Sequence, residues 1–182
     1  MTEEQAGAGS PGPGISPELT LRFSWHVDGL VAGSARPGRY GDIRRELALI
    51  KDEGIRLIVN LCTEPLPIPD EFLDEFEEMH EPVLDGHPPE PAQLTRIIAK
   101  VQAAAKAGRP ALIHCRGGVG RTATVLIPVM MEVGGFSLDD AIHRLRQAGR
   151  YTQTMQQWEF LKDWAENRVA VSARKKGGAS PS

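Results

Sequence analysis

The run His114-Cys115-Arg116-Gly117-Gly118-Val119-Gly120-Arg121-Thr122 brings one thiol, two guanidinium groups and three glycines into nine residues. Glycines let a backbone curl until successive N–H groups face one concavity, an anion-binding nest. A helix that opens at such a turn adds the positive end of its dipole. The ring of donors suits a phosphate, and a cysteine on its floor would hold its sulfur as a thiolate. Helix ends and cationic neighbours lower a thiol from about 8.5 to roughly 3.5–7.5, so a nucleophile in such a place is armed at neutral pH. The chemistry implied is anion binding coupled to attack by sulfur.

Elements on either side would place this loop. Ala111-Leu112-Ile113-His114 reads as a short strand, and Gly120 to Val133 as a helix apolar all round, hence buried, with Pro128 removing one of its backbone bonds. Upstream, Ile55 to Leu61 is a β-branched apolar run suited to a strand covered on both faces. Asp42 caps a helix through Glu53, where Ile43, Leu47 and Ile50 recur at helical spacing and Gly54 provides the stop. A short strand is expected at Pro82 to Leu84. Leu94, Ile97, Ile98 and Val101 then mark an amphipathic helix ending before Gly108. Ser137 caps a helix to Ala148, and a last helix runs from Thr154 to Arg168 with Trp158, Leu161 and Trp164 inward. Strands alternating with helices predict an α/β fold, a central and mostly parallel sheet flanked by helices.

Composition sets the limits. The 182 residues carry 21 Lys+Arg against 24 Asp+Glu, a net charge of −3, which argues against a nucleic-acid partner held by general phosphate neutralisation. Residues 1–19 are Gly-, Pro- and Ala-rich and read as a disordered tail; residues 170–182, with Arg174, Lys175 and Lys176, read as a flexible basic one. Residues 20–169 remain as one domain, large enough for its own core. The beginning MTEEQAGAGS has no apolar core of a secretory signal, and Thr122 to Met131 is too short for a membrane span. Cys62 and Cys115 are too few for a disulfide framework, so the expectation is a cytoplasmic, reducing environment.

The pattern Cys115-x5-Arg121-Thr122 preceded by His114 resembles the signature loop of the cysteine-dependent protein tyrosine and dual-specificity phosphatases. Gly33-Ser34-Ala35-Arg36-Pro37, and Gly54-Ile55 leading into Ile58-Val59-Asn60-Leu61, are similar to the N-terminal half of small atypical dual-specificity members. The resemblance implies that Cys115 attacks phosphorus to give a phosphocysteine. Arg121 clamps two phosphate oxygens, and the main chain of Arg116, Gly117, Gly118, Val119, Gly120 and Arg121 completes the cradle. By the same resemblance Thr122 stabilises the departing thiolate and His114 orders the loop around the sulfur. Ala123 stands where the family usually has glycine, a change a helix interior accepts. Asp85, thirty residues before Cys115 and opening the turn Asp-Gly-His-Pro-Pro, matches the general acid, with Glu81 and Glu90 as alternatives. Gln153-Thr154-Met155-Gln156-Gln157-Trp158-Glu159-Phe160 resembles the family's glutamine loop, Gln153 matching the glutamine that positions water and Gln157 the second one.

The expected activity is hydrolysis of phosphotyrosine, and by extension phosphoserine or phosphothreonine, in a phosphorylated protein by a monomer without cofactor, metal, nucleic acid or membrane partner. Two other readings stay open: a rhodanese-like sulfurtransferase, because Cys115-Arg116-Gly117-Gly118-Val119 also resembles the start of a rhodanese loop, and a binding module that holds phosphoprotein without cleaving it. A lipid substrate is the lesser option, since Gly118 and Val119 are neutral. His26, His80, His87 and His143 show no paired metal-ligand spacing. Cys62 reads as buried apolar, with a reversible disulfide to Cys115 as the less favoured role. The six carboxylates from Asp70 to Glu78 read as a solvated helix face, and Arg36 and Arg39 as surface charges rather than aids to substrate approach.

Overall fold

The computed structural model describes residues 17–177; residues 1–16 and 178–182, which hold most of the expected N-terminal tail and the end of the C-terminal one, lie outside the described residues. The order is α1 (Pro17–Leu21), β1 (Ser24–Val27), β2 (Val31–Ser34), α2 (Ile43–Asp52), β3 (Leu57–Asn60), a 3-10 turn (Asp70–Phe72), β4 (Glu77–His80), α3 (Pro91–Lys106), β5 (Ala111–His114), α4 (Gly120–Val133), α5 (Leu138–Gln147) and α6 (Met155–Gly177). One sheet of order β1-β2-β5-β3-β4 forms the middle layer, parallel except for β1. The α/β architecture expected from the alternating pattern is the one that forms.

The register explains where the site lies. Ser34 of β2 and Asn60 of β3 both pair with His114 of β5, so three neighbouring parallel strands end at one level. Their next residues, Ala35-Arg36, Leu61-Cys62 and Cys115, therefore leave the sheet side by side. In open α/β sheets the crevice beyond the carboxyl ends of the strands is where ligands bind. Both sheet faces are covered: Val31, Leu57, Val59, Ala111 and Ile113 pack with residues of α3 to α6, while Ala32, Ile58 and Leu112 pack with Leu21, Leu47, Ile50 and Phe76. That double burial is why the central strands read as continuous apolar runs.

Local signals behave as their chemistry dictates. Asp42 accepts from the Arg45 N–H at 3.0 Å to start α2, Ser137 accepts from the Asp140 N–H at 3.1 Å to start α5, and Gly54 takes φ +81° after α2. Four expectations need correction. The strand expected at Pro82–Leu84 lies earlier, at Glu77–His80; residues 82–84 run on beside β3 with only the Val83 N–H bonding back, to Leu61. The acidic stretch from Asp70 to Glu78 is a 3-10 turn leading into that edge strand, not a helix face. Its charges meet Arg44, Lys51, Lys100 and Arg109 across the surface while Phe76 is buried, and charge on an edge strand discourages pairing with another chain. Residues 17–19, placed in the N-terminal tail, begin α1. The last helix continues past Arg168 to Gly177, since Ala, Arg and Lys favour helix. Among the described residues no helix is long and apolar enough to cross a membrane.

His26 and His114 are buried in this frame, and burial pushes both down to about 3. Each folded value lies below the unfolded 6.5, so the unfolded chain binds more protons below that pH and folding stability is lost as pH falls from about 6.5 toward 3. Each histidine contributes about 1.4 kcal/mol per pH unit well inside that window. Urea unfolding at about pH 7 and about pH 5 should show a drop of at least about 2 kcal/mol; equal stabilities would contradict neutral burial of the pair.

Candidate active site

The turn after β5 is built from glycine for steric reasons. Gly118 has φ +70°, and a Cβ there would lie 2.6 Å from the backbone of Ser34 and Ala35. The loop thus packs directly onto the end of β2. Two further bonds hold it: the Arg36 N–H donates to the Arg116 carbonyl at 3.2 Å, and the Arg22 guanidinium donates to the Gly117 carbonyl at 3.2 Å. Val119 is the N-cap residue of α4 and gives no side-chain cap, so the first N–H groups of the helix stay available to a ligand. Cys115 is buried at the foot of this turn.

Arg121, in the first turn of α4, bends back over the loop and is 6% exposed. Its Nη1 donates to the carbonyls of Leu61 at 3.3 Å and Val83 at 2.9 Å, which fixes the guanidinium plane to the end of β3. Its Nη2 is 3.1 Å from Asp85 Oδ1, and its Nε is buried with no hydrogen-bond partner. One edge of the fork is anchored; the other, Nε and Nη2, has the geometry to match two oxygens of a planar or tetrahedral anion. His114 Nε2 and Thr122 Oγ1 are likewise buried without a partner, so three unmatched polar atoms belong to this one strand–loop–helix segment. Buried polar atoms normally find partners, so these three remain available to a ligand or to water.

The sequence candidates divide clearly. His114 is neutral at physiological pH, and its Nδ1 lies 3.4 Å from the Cys115 carbonyl. Asp85, exposed in a turn, reaches the site through Arg121. A cleft of about 90 Å³ is lined by both, with Arg116, Glu64 and Cys62. Gln153 lies against the start of α4, its Oε1 2.3 Å from where a Gly120 Cβ would be. Gln157 is fully buried and uses both ends of its amide, accepting from the Gln153 N–H at 2.8 Å and donating to the His87 carbonyl at 3.3 Å. The Thr154 hydroxyl donates to the Gly86 carbonyl at 2.7 Å. The start of α6 therefore holds the turn that carries Asp85. Glu81 is turned away, bound by both oxygens to Arg96, whose hydrogen bonds hold its carboxyl below the usual range. Glu90 caps α3 and is not brought to the site. Burial pushes the Cys62 thiol up, leaving it protonated.

Residues the sequence did not single out also shape the site. Arg22 grips the loop from α1's end at φ +55°, and Tyr40 stands beside Gly117, its hydroxyl 3.9 Å from where a Cβ would be. Arg150 is buried beneath β2, donating to the carbonyls of Arg22 and Gly33. Only Arg22's isolated position after an apolar turn could have drawn attention; Arg150 reads as an ordinary basic residue after α5.

Residues 20–174 match a family model described as "Swiss Army Knife protein, DSP-PTPase phosphatase domain". Cyclin-dependent kinase inhibitor 3 of Homo sapiens is 28% identical over 153 residues, covering 75% of this chain and 72% of its own. Among solved structures, Tk-PTP in its active form is 30% identical with TM-score 0.68, covering 80% of this chain and 97% of its own. Kinase associated phosphatase, solved with its catalytic-site cysteine replaced by serine, is 25% identical with TM-score 0.65, covering 77% and 88%.

Gly118→Ala tests the steric account of the loop. The added methyl meets backbone rather than a flexible side chain, at a φ that disfavours any Cβ. A loss of at least about 2 kcal/mol in unfolding free energy, or a folded protein without measurable turnover, is expected from urea titration and steady-state assay. Wild-type values in both would refute it.

Proposed function

From the premise that this chain belongs to the dual-specificity and tyrosine phosphatase family, we propose that it hydrolyses phosphomonoesters of protein side chains, phosphotyrosine first, through a phosphocysteine on Cys115. The observation that carries this reading is the buried Arg121 guanidinium, anchored on one side to the Leu61 and Val83 carbonyls, with Nε unpartnered and Nη2 paired to the exposed Asp85. A sulfurtransferase that begins its loop with the same residues releases sulfite and needs no proton donor, whereas here a carboxylate, Asp85, stands 3.1 Å from that guanidinium.

In the proposed reaction the substrate phosphate enters the ring of N–H groups from Arg116 to Arg121, and two of its oxygens take the Nε and Nη2 edge. The Cys115 thiolate, at the foot of that ring, attacks phosphorus as the bond to the leaving oxygen breaks. That oxygen needs a proton, and Asp85 is the acid on the rim. Binding of phosphate to Arg121 replaces the ion pair at 3.1 Å; the Asp85 carboxylate, released from that cation beside the phosphate's negative charge, takes up a proton from solvent and turns it toward the leaving group. Asp85, now ionised, then takes a proton from water that attacks the phosphocysteine. Gln153, beside Gly120, is placed to orient that water, and Thr122 Oγ1 to hydrogen-bond the released thiolate. Thr154 and Gln157 are positioning residues for the Asp85 turn. The reaction needs a reducing setting, because an oxidised Cys115 is no nucleophile.

Cys115→Ser should abolish turnover of a generic aryl phosphate in the presence of chelator, and residual activity near wild type would overturn the assignment. Asp85→Asn should lower kcat by about 10²-fold or more and flatten the alkaline limb of the pH–rate profile, the limb set by loss of the acid's proton. Thr154→Val should do the same more weakly, with a larger loss on alkyl than on nitrophenyl leaving groups. An Asp85→Asn enzyme with an unchanged profile would move the acid to another residue.

A further inference from the structure

Beside the mouth of the loop lies a second, larger cavity of about 390 Å³, whose wall of Cys62, Glu64 and Arg116 is shared with the cleft between Asp85 and Arg121. Three arginines line it, Arg36, Arg39 and Arg116, with one acidic residue, Glu64; Ile43 and Pro67 add apolar wall. A chain of net charge −3 has concentrated positive charge in a concave surface continuous with its reaction centre.

The three arginines differ in what already holds them. Arg36 is committed to the fold, its Nη1 and Nη2 donating to the carbonyls of Glu64 at 3.0 Å and Pro65 at 2.6 Å. Arg116 is exposed, and its side chain makes no hydrogen bond or ion pair among the described residues. Arg39 is also exposed, its guanidinium 5.4 Å from the centre of the Tyr40 ring and otherwise unpaired. The segment bearing Arg39 is nevertheless fixed, because the Gly38 N–H donates at 2.6 Å to Glu46, a carboxylate only 1% exposed. Glu64 is held below the usual carboxylate range by the Thr63 hydroxyl, its own backbone N–H, and the charges of Arg36 and Arg116. It is therefore ionised and offsets one of the three cations, leaving two to be matched from outside.

We propose that this cavity is a second anion subsite, and that the preferred substrate is a phosphopeptide with another anionic side chain, carboxylate or phosphate, close to the scissile phosphoester. The inference rests on the phosphatase reading above and names the substrate class for that site. Arg39 and Arg116 receive the second anion while the loop holds the first. Ile43, Pro67 and the exposed Tyr40 ring fit the aliphatic stem and backbone of a peptide, surface that a bare sugar polyphosphate cannot cover.

The test compares phosphotyrosine peptides that differ only at neighbouring positions, with glutamine, glutamate or a second phosphorylated residue, on the wild-type enzyme and on Arg39→Gln. Soluble inositol bisphosphate serves as the non-peptide arm. The acidic and doubly phosphorylated peptides should exceed the glutamine peptide in kcat/KM by about tenfold, equivalent to about 1.4 kcal/mol. That ratio should shrink between about 0.1 M and about 1 M salt, as the Debye length falls from about 10 Å to about 3 Å. In Arg39→Gln the ratio should fall toward one. Equal rates on all peptides, or a ratio that Arg39→Gln leaves unchanged, overturn the subsite, and a higher kcat/KM on inositol bisphosphate than on every peptide overturns the peptide assignment. Failure to hydrolyse any of these substrates overturns the phosphatase reading itself and this inference with it.

Discussion

A buried guanidinium is the constraint around which this molecule is organised. Removing an arginine from water costs several kcal/mol unless its donors are matched, and Arg121 is 6% exposed with no buried carboxylate beside it. The fold compensates with carbonyl oxygens. Leu61 supplies one as the chain leaves β3, Val83 supplies another as it leaves β4, and Asp85 adds a charge from the rim. Compensation stops short of completion at Nε, and a phosphate dianion is the group whose charge and geometry would complete it. The incomplete solvation of one cation thus links the core, the edge of the sheet and the proposed reaction.

That arrangement requires three parallel strands to end together, and the small residues at the end of β2 make it feasible. Gly33 admits Leu126 and Arg150 at 2.7 and 2.8 Å from where its Cβ would be, so the strand is squeezed between helix α4 and a buried arginine. One residue later Ser34 gives its backbone to Gly118. A larger side chain at Gly33 would push β2 outward and carry Ala35, Arg36 and the floor of the loop with it. The close approach of β2 is therefore a condition for the nest, since Gly118 packs on the Ser34 and Ala35 backbone with no room for a Cβ.

What could be read from the chain, and what could not, follows the range of the interactions. The strand at Ala111–His114, the helix at Gly120–Val133 and the caps at Asp42 and Ser137 are local in origin, and the structure has them where periodicity and capping chemistry put them. The loop residues were legible because thiol, glycine and arginine spacing within nine residues has few other uses. β1 and β2 were not legible: Val-Ala-Gly-Ser has no strand pattern, and its composition answers to Leu126, Arg150 and Gly118, all far away in sequence. Residues 70–78 misled because six carboxylates suggest solvent on every side, whereas their cationic partners come from α2, α3 and the chain before β5. Gln157 was legible as part of a motif, but its burial and its role as a tie between Gln153 and His87 depend on the fold.

The tie has a mechanical consequence. Asp85 is exposed and belongs to a turn with few apolar contacts, the kind of segment expected to move most freely. Its backbone is nonetheless fastened at Gly86 to Thr154 and at His87 to Gln157, and Gln157 is fastened in turn to Gln153, which touches Gly120 at the head of α4. The proposed acid, the proposed water-orienting glutamine and the start of the phosphate-binding helix form one connected set of hydrogen bonds and contacts. A displacement of α6 would move all three together. In the proposed reaction the Asp85 side chain exchanges the Arg121 guanidinium for the leaving group while the backbone of its turn stays tied to Thr154 and Gln157. A site of this kind is ready before its substrate arrives, and discrimination among substrates must then come from the surface around it, where the unmatched arginines are.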